Sequence, residues 1–311
     1  MLESPQEFVD AVSDVSVDLY RDEVFGIAGE SGCGKTTLVR VLYGHIKPPL
    51  VLKQGSVELC TEDERPIAIT SLSLRKRQRM VWWKRISYIP QASMNVLNPT
   101  MRIRDHFAEM LKVYSGMSKE RAYPRAYEYA ETMGLPSDAL KAFPHQLSGG
   151  MRQRTVIAMA VLLEPDLVLA DEPSSALDVI TQRTALTFLK DVQTKLGNTL
   201  VLVTHDMNIH SVLTDKVAIM YAGKIIEIGK TSDVFQKPLH PYTRALIESL
   251  PRLGDKSQRT GLGGQPPDLR RPPEGCRFHP RCSHAWAACS SDEPSLLEKE
   301  DERRVACWLH A

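Results

Sequence analysis

Apolar residues fall into short, nearly unbroken runs separated by stretches with helical spacing. Val24 to Ala28, Ile86 to Ile89, Leu167 to Ala170, Leu200 to Val203 and Val217 to Met220 show little period-two alternation. That is the pattern of strands covered on both faces, as in a parallel sheet between helical layers. Between Pro90 and Pro165 the pattern changes: Arg104 to Val113 and Arg121 to Met133 read as helices, predicting a helical insertion in an α/β domain. From Pro251 it changes again, since seven of the twenty prolines and five of the eighteen glycines fall in the last 61 residues. A separate loop-rich tail is expected there. No repeat or heptad run is visible.

Composition narrows the class. Lys and Arg total 39 against 38 Asp and Glu in 311 residues, so any polyanion site must be local rather than a global charge effect. Charged residues at 25% and hydrophobic ones at 42% describe a folded soluble chain rather than a disordered or fibrous one. The longest apolar run, Val156 to Leu163, ends at Glu164, far short of the roughly 20 residues that cross a bilayer. The opening Met-Leu-Glu-Ser-Pro lacks the basic and apolar stretches of a signal peptide, so a cytoplasmic address is expected. Of six cysteines, Cys33 and Cys60 stand alone and Cys276, Cys282, Cys289 and Cys307 share the last 36 residues. Clustered thiols in a cytosolic chain point to a metal before disulfides.

The chemistry starts at Gly29-Glu30-Ser31-Gly32-Cys33-Gly34-Lys35-Thr36, a P-loop pattern set between an apolar strand and a helical stretch from Thr37. Its glycines allow a tight turn whose N–H groups face phosphates, Lys35 reaches the β and γ phosphates, and Thr36 suits Mg²⁺. Leu167 to Ala170 runs into Asp171 and Glu172. Asp171 is placed to meet the metal and Glu172 to polarise an attacking water. Leu200 to Val203 leads into His205, at a strand end where ligands sit in α/β sheets. Such a His either senses the γ-phosphate or simply bonds backbone. Ser148-Gly149-Gly150, ahead of a helix, forms a second anion-binding N-terminus.

In this combination the chain resembles the ATP-binding cassette family, over nearly all residues from about Val12 onward. The resemblance rests on the P-loop, Gln91 as the Q-loop, the signature Leu147 to Gln153, Asp171-Glu172, the D-loop Ser175-Ala176-Leu177-Asp178, and His205. It implies a P-loop NTPase (RecA-like) core with an antiparallel β subdomain and a helical signature subdomain at about 92–164. It also implies an ATPase domain over 1–250 and a Cys-rich tail over 251–311. By resemblance ATP lies between one P-loop and the partner chain's Ser148, Gly149, Gly150 and Gln153. Gln91 then touches Mg²⁺ and links ATP to the membrane subunits, Glu172 is the catalytic base, and His205 is the switch. Family members open with a further strand and an adenine-stacking aromatic, which this chain begins too late to contain. Phe8 is expected in the antiparallel sheet, which leaves the adenine contact unassigned.

The stretch His240-Pro241-Tyr242-Thr243-Arg244 and the later cysteines resemble the dipeptide, oligopeptide and nickel importer branch, specifically its D-type ATPase. That implies a heterodimer with an F-type partner, two permeases and an extracytoplasmic binding protein, at the cytoplasmic face of the membrane. The cargo is peptide, with nickel or oligosaccharide as alternatives. The four tail cysteines are separated by five, six and seventeen residues, without Cys-x-x-Cys knuckles. Their thiolates suit zinc or an iron–sulfur cluster, and the branch resemblance favours a 4Fe-4S cluster that staples the tail. Trp286 and Trp308 are expected around it.

Arg75, Lys76, Arg77, Arg79, Lys84 and Arg85 crowd together with Trp82 and Trp83. A solvated basic helix face explains them better than a nucleic-acid stacking patch. The rival function, a cassette ATPase acting on DNA or ribosomes, fits poorly. Lys35 and Ser148 are only about a hundred residues apart, and there is one cassette rather than two.

Overall fold

The computed structural model describes residues 8–61, 65–175, 177–250 and 262–311. Its strands in chain order are β1 (Val24–Ala28), β2 (Glu58–Leu59), β3 (Ile67–Ala68), β4 (Ile86–Ile89), β5 (Leu167–Asp171), β6 (Thr199–Val203), β7 (Lys216–Tyr221), β8 (Lys224–Lys230), β9 (Leu297–Glu298) and β10 (Arg304–Val305). The helices are α1 (Lys35–Leu42), α2 (Leu74–Met80), α3 (Ile103–Ser115), α4 (Lys119–Thr132), α5 (Ser137–Lys141), α6 (Gly149–Ala160), α7 (Val179–Leu196), α8 (Met207–Leu213), α9 (Thr231–Gln236), α10 (Pro241–Glu248) and α11 (Ala287–Ser291). The five apolar runs are all strands, as predicted. Two compact units result, one of Met1–Leu19, Val24–Leu38 and Val203–Ala311, the other of Tyr20–Glu23 and Val39–Leu202.

In the first unit β1 lies parallel to β7, with Ile27 opposite Ala218. The order continues through β8, β10 and β9 with antiparallel pairs. Every residue of β1 is buried, as a strand without alternation requires. The tail boundary at Pro251 lies outside the described residues. Residues 262–311 are built into this unit: Phe278 is 2% exposed and meets Tyr221 edge-on at 5.2 Å and Tyr242 at 5.4 Å. Arg303 on the tail side pairs at 2.7 Å with the fully buried Glu227 of β8, whose carboxylate also accepts the Leu239 and His240 N–H groups. A charge this deep persists only with such partners.

Phe8 departs from expectation. It is 59% exposed and lies in no strand, because the following residues cross as a loop tied to the β7–β8 turn by Ser13 N–H donating to Gly223 O at 2.9 Å.

The second unit holds β4 and β5 in parallel, Ile86 opposite Leu167, with β6 next in order. The predicted helices appear as α3 and α4. Buried Ala122, Ala126, Tyr129 and Ala130 form one face of α4 at helical spacing, and Tyr129 meets Phe107 of α3 at 6.5 Å. β2 and β3 make a small antiparallel pair. Arg75, Lys76, Arg77 and Arg79 of the basic stretch lie on α2, which has no buried residue, and Lys84 and Arg85 follow it in the turn before β4. Trp82 is 9% exposed, stacks on Tyr43 at 5.0 Å and donates its indole N–H to Tyr43 O. An indole committed to the core cannot serve as a base-stacking platform.

A titration is built into the first unit. His210 is fully buried and donates its Nε2–H to Thr204 O at 3.1 Å, and burial pushes its pKa down to about 4. Below pH ~6.5 the unfolded chain therefore binds a proton that the folded chain refuses, so stability falls as pH drops toward that depressed value. The expected loss approaches ~1.4 kcal/mol per pH unit in this window. Thermal melts across pH 7 to 4 check it: His210→Gln keeps a donor for Thr204 and should flatten the slope, and an unchanged slope would exclude His210 as the cause.

Candidate functional site

In the first unit β1 opens directly into the glycine-rich loop. Gly29, Gly32 and Gly34 have φ of 149°, 81° and 105°. Two of these positions also lack room for a side chain. A Cβ on Gly29 would lie 2.2 Å from Met220 O, and one on Gly34 would lie 2.3 Å from Ala11 O. Gly34→Ala is therefore expected to deform the loop and lower nucleotide affinity at least tenfold, through both strain and clash. Equilibrium binding of ADP measures it.

Lys35, at the start of α1, is 6% exposed and its Nζ donates to Gly29 O at 2.7 Å and Glu30 O at 2.9 Å. The loop carbonyls thus hold the ammonium in place for an anion. Cys33 Sγ lies 3.8 Å from that Nζ, and burial raises its thiol pKa against the opposing pull of Lys35. Ser31 is exposed, and Thr36 and Thr37 are half-buried on α1. His205 is exposed just past β6, one residue before Asp206, whose side chain caps α8.

The second unit collects the remaining motifs. Asp171 ends β5 fully buried, and the Tyr88 hydroxyl donates to its Oδ2 at 3.1 Å. Burial first, then the Asp171 charge, pushes the Tyr88 pKa up to about 12, so the phenol keeps its proton as a fixed donor. Glu172 follows with φ 45°, and its Oε2 accepts from Gln91 Nε2 at 3.1 Å. Ala92, next to Gln91, has φ 54°. Two left-handed non-glycine residues, at about 1–3 kcal/mol each, thus flank one hydrogen bond, and such strain collects at functional sites.

Ser148 caps α6, its Oγ accepting Met151 N–H at 3.3 Å. Asp178 caps α7 by accepting the Ile180 and Thr181 N–H groups, and hydrogen bonding to Thr181 is the main cause holding its carboxyl below the usual range. These two motifs meet. A Cβ on Gly150 would lie 3.0 Å from Thr181 Cγ2, and one on Gly149 would lie 3.3 Å from Leu177 Cδ2. Ala176 lies outside the described residues. Gln153 is 1% exposed with its Oε1 accepting the Ser93 hydroxyl at 3.0 Å, so its amide oxygen is engaged inside this unit beside the Gln91 loop. Sequence reasoning missed Val179 and Ile180, which are 81% and 80% exposed at the start of α7. An apolar pair directly after the Asp178 cap was the available signal.

The four tail cysteines, so unevenly spaced in sequence, line one small cavity in the first unit, with His240, Phe278 and Trp308 among its other walls. Trp286 does not line it and is 57% exposed. Burial, then the neighbouring thiols, raises Cys276 to a pKa of about 11. Burial also raises the thiols of Cys282 and Cys307, which disfavours their thiolates unless a cation compensates the charge. Among the described residues no three His, Cys, Asp or Glu side chains are arranged to hold a single metal ion. On the same wall His240 is 1% exposed; its Nδ1 accepts Tyr242 N–H at 3.0 Å, and its Nε2 has no partner. Four soft donors and an orphaned N–H fit a sulfur-rich polynuclear group.

A strand, a glycine-rich loop with a caged lysine, and a helix, on a parallel α/β sheet, define a P-loop nucleotide-binding protein. The chain belongs to the ABC transporter family, whose model matches residues 12–175. Residues 226–289 match the oligopeptide/dipeptide transporter C-terminal region. The dipeptide transport ATP-binding protein DppD of Bacillus subtilis is 40% identical over 97% of this chain and 89% of its own length. The oligopeptide transport ATP-binding protein OppD of Salmonella typhimurium is 38% identical over 98% and 90%. Among solved structures, the dimeric post-hydrolysis state of the ATP-binding cassette MJ0796 with ADP and Pi is similar at a TM-score of 0.61. It is 27% identical, over 74% of this chain and 94% of that one. Among the described residues no helix is long and apolar enough to cross a membrane.

Proposed function

We propose that the chain is the ATP-hydrolysing subunit of an importer for dipeptides or oligopeptides. It pairs with an F-type ATPase chain at the cytoplasmic face of the membrane, on two permeases supplied by an extracytoplasmic binding protein. The observation that carries this reading is the oligopeptide/dipeptide C-terminal region joined to a cassette in one chain, in the company of relatives named for peptide transport.

The P-loop from Gly29 to Thr37 binds the phosphates, with backbone N–H groups and Lys35 supplying positive charge. Mg²⁺, when bound, neutralises phosphate charge; Thr36, Gln91 and Asp171 offer the hard oxygen donors it requires. Glu172 takes the proton of the attacking water, and its bond to Gln91 links the base to the segment that reports to the permeases. His205 senses the γ-phosphate. Ser148, Gly149 and Gly150 present a capped helix N-terminus to the nucleotide of the second chain. Gln153 braces that helix from inside through Ser93, and Asp178 with the exposed Val179 and Ile180 faces the same partner. Cys276, Cys282, Cys289 and Cys307 hold a 4Fe-4S cluster, whose binding energy fixes a segment poor in regular structure.

Two measurements test this. ATPase activity of the four-chain complex should rise when peptide-loaded binding protein is added, and indifference to peptide contradicts the cargo. Anaerobic purification should yield about four irons and four sulfides per chain; zinc or no metal contradicts the cluster and leaves the ATPase standing.

A further inference from the structure

The P-loop residue Glu30 is held at all of its polar groups, and two of its holders, Tyr242 and Arg281, come from beyond the ATPase motifs. Its carbonyl accepts from Lys35 Nζ at 2.9 Å. Its N–H donates to the Tyr242 hydroxyl at 2.9 Å. Its carboxylate receives both arms of Arg281, at 2.7 and 3.0 Å.

Arg281 is built for this contact. Its side chain is 5% exposed, its Nε donates to Gly263 O at 2.9 Å, and its guanidinium lies over the Tyr221 ring at 5.8 Å and also donates to the Tyr221 hydroxyl at 3.3 Å. The pairing with Glu30 raises its already high pKa further, so the charge is permanent. A planar fork fixed on three sides and aimed at a carboxylate fixes geometry as well as charge.

Both holders lead to the cysteine cavity. Arg281 immediately precedes Cys282, and Phe278 between Cys276 and Arg281 packs against Tyr242. His240, two residues before Tyr242, lines the cavity itself and accepts Tyr242 N–H.

We propose that Arg281 and Tyr242 are positioning residues for the P-loop, a clamp through which the cysteine site sets nucleotide affinity. Glu30 anchors Lys35 by its carbonyl, so releasing Glu30 lets the phosphate-binding ammonium lose its fixed place. The coupling operates within one compact unit and uses contacts 212 and 251 residues apart in sequence. Its arginine half stands on geometry alone, and only the link to an occupied cavity rests on the proposed cluster.

The test is ADP binding to the anaerobically purified full chain, together with KM and kcat for ATP in the assembled complex. Arg281→Ala should weaken ADP binding and raise KM about tenfold, within the usual range of site-to-site coupling, while kcat changes less than about twofold. Arg281→Lys, which keeps charge but loses the fork, should fall between the two, and a merely destabilised fold would not produce that ordering. Cys282→Ser should weaken ADP binding in the wild-type background but add little to Arg281→Ala, because both act through one contact. Unchanged ADP affinity in Arg281→Ala overturns the clamp. Equal effects of Cys282→Ser in both backgrounds overturn the coupling to the cysteines. Absence of iron bears only on the cluster and leaves the arginine result to be judged by itself.

Discussion

Glu172→Gln is expected to leave ATP binding intact and to lower turnover about 10²- to 10⁴-fold, the usual contribution of a general base. The amide keeps size and polarity but cannot take a proton from water. The hydrogen bond from Gln91 Nε2 to Glu172 Oε2 at 3.1 Å can be kept by the glutamine's own carbonyl, so the loop geometry survives and the loss falls on chemistry. The strained backbone at Glu172 and Ala92 should persist for the same reason. Kinetics of the assembled complex check this, with kcat collapsing and nucleotide affinity preserved. Ordinary turnover removes Glu172 from the role of base.

Phe278→Ala should be the most damaging single change in the tail. The ring is 2% exposed and shares a cluster with Tyr221 and Tyr242, against which Val234 and Ile247 also pack. Truncating a buried Phe to Ala costs about 3–5 kcal/mol through lost burial and the cavity left behind. For a unit of this size that is a fall of roughly 6–20 °C in Tm. Function should suffer before global unfolding, because the same ring braces Tyr242, whose hydroxyl holds the Glu30 N–H. Thermal melting and ADP affinity measured together check it. A Tm within about 1 °C of wild type would mean that the segment 276–282 is not part of the core.

The sequence revealed the elements whose physics is local. Unbroken apolar runs marked β1, β4, β5, β6 and β7, and glycine-rich and acidic motifs marked the P-loop and the Asp171-Glu172 edge. What escaped depends on distant partners. β8 carries Glu227 at its centre, which breaks an apolar pattern yet is fully buried, since Arg303 and two backbone N–H groups satisfy it. β2, β3, β9 and β10 are two residues each, too short for any periodicity to show. The cysteines share one cavity although their spacing follows no knuckle: turns run from Cys276 to Cys282, and Cys276 N–H donates to the distant Cys289 O at 2.8 Å. Nothing in the neighbourhood of Arg281 in sequence signals its pairing with Glu30. The role of Gln153 was likewise readable as a motif position, but its burial against Ser93 was not.

The central claim is that this chain turns ATP into peptide movement across a membrane. The direct measurement reconstitutes it with the proposed F-type partner and two permeases in lipid vesicles, and follows transfer of a labelled dipeptide from the binding-protein side. Uptake that requires ATP, and that Glu172→Gln in this chain abolishes together with hydrolysis, is the predicted result. Hydrolysis that proceeds normally while no peptide crosses, with the binding protein loaded and all four chains present, would contradict it.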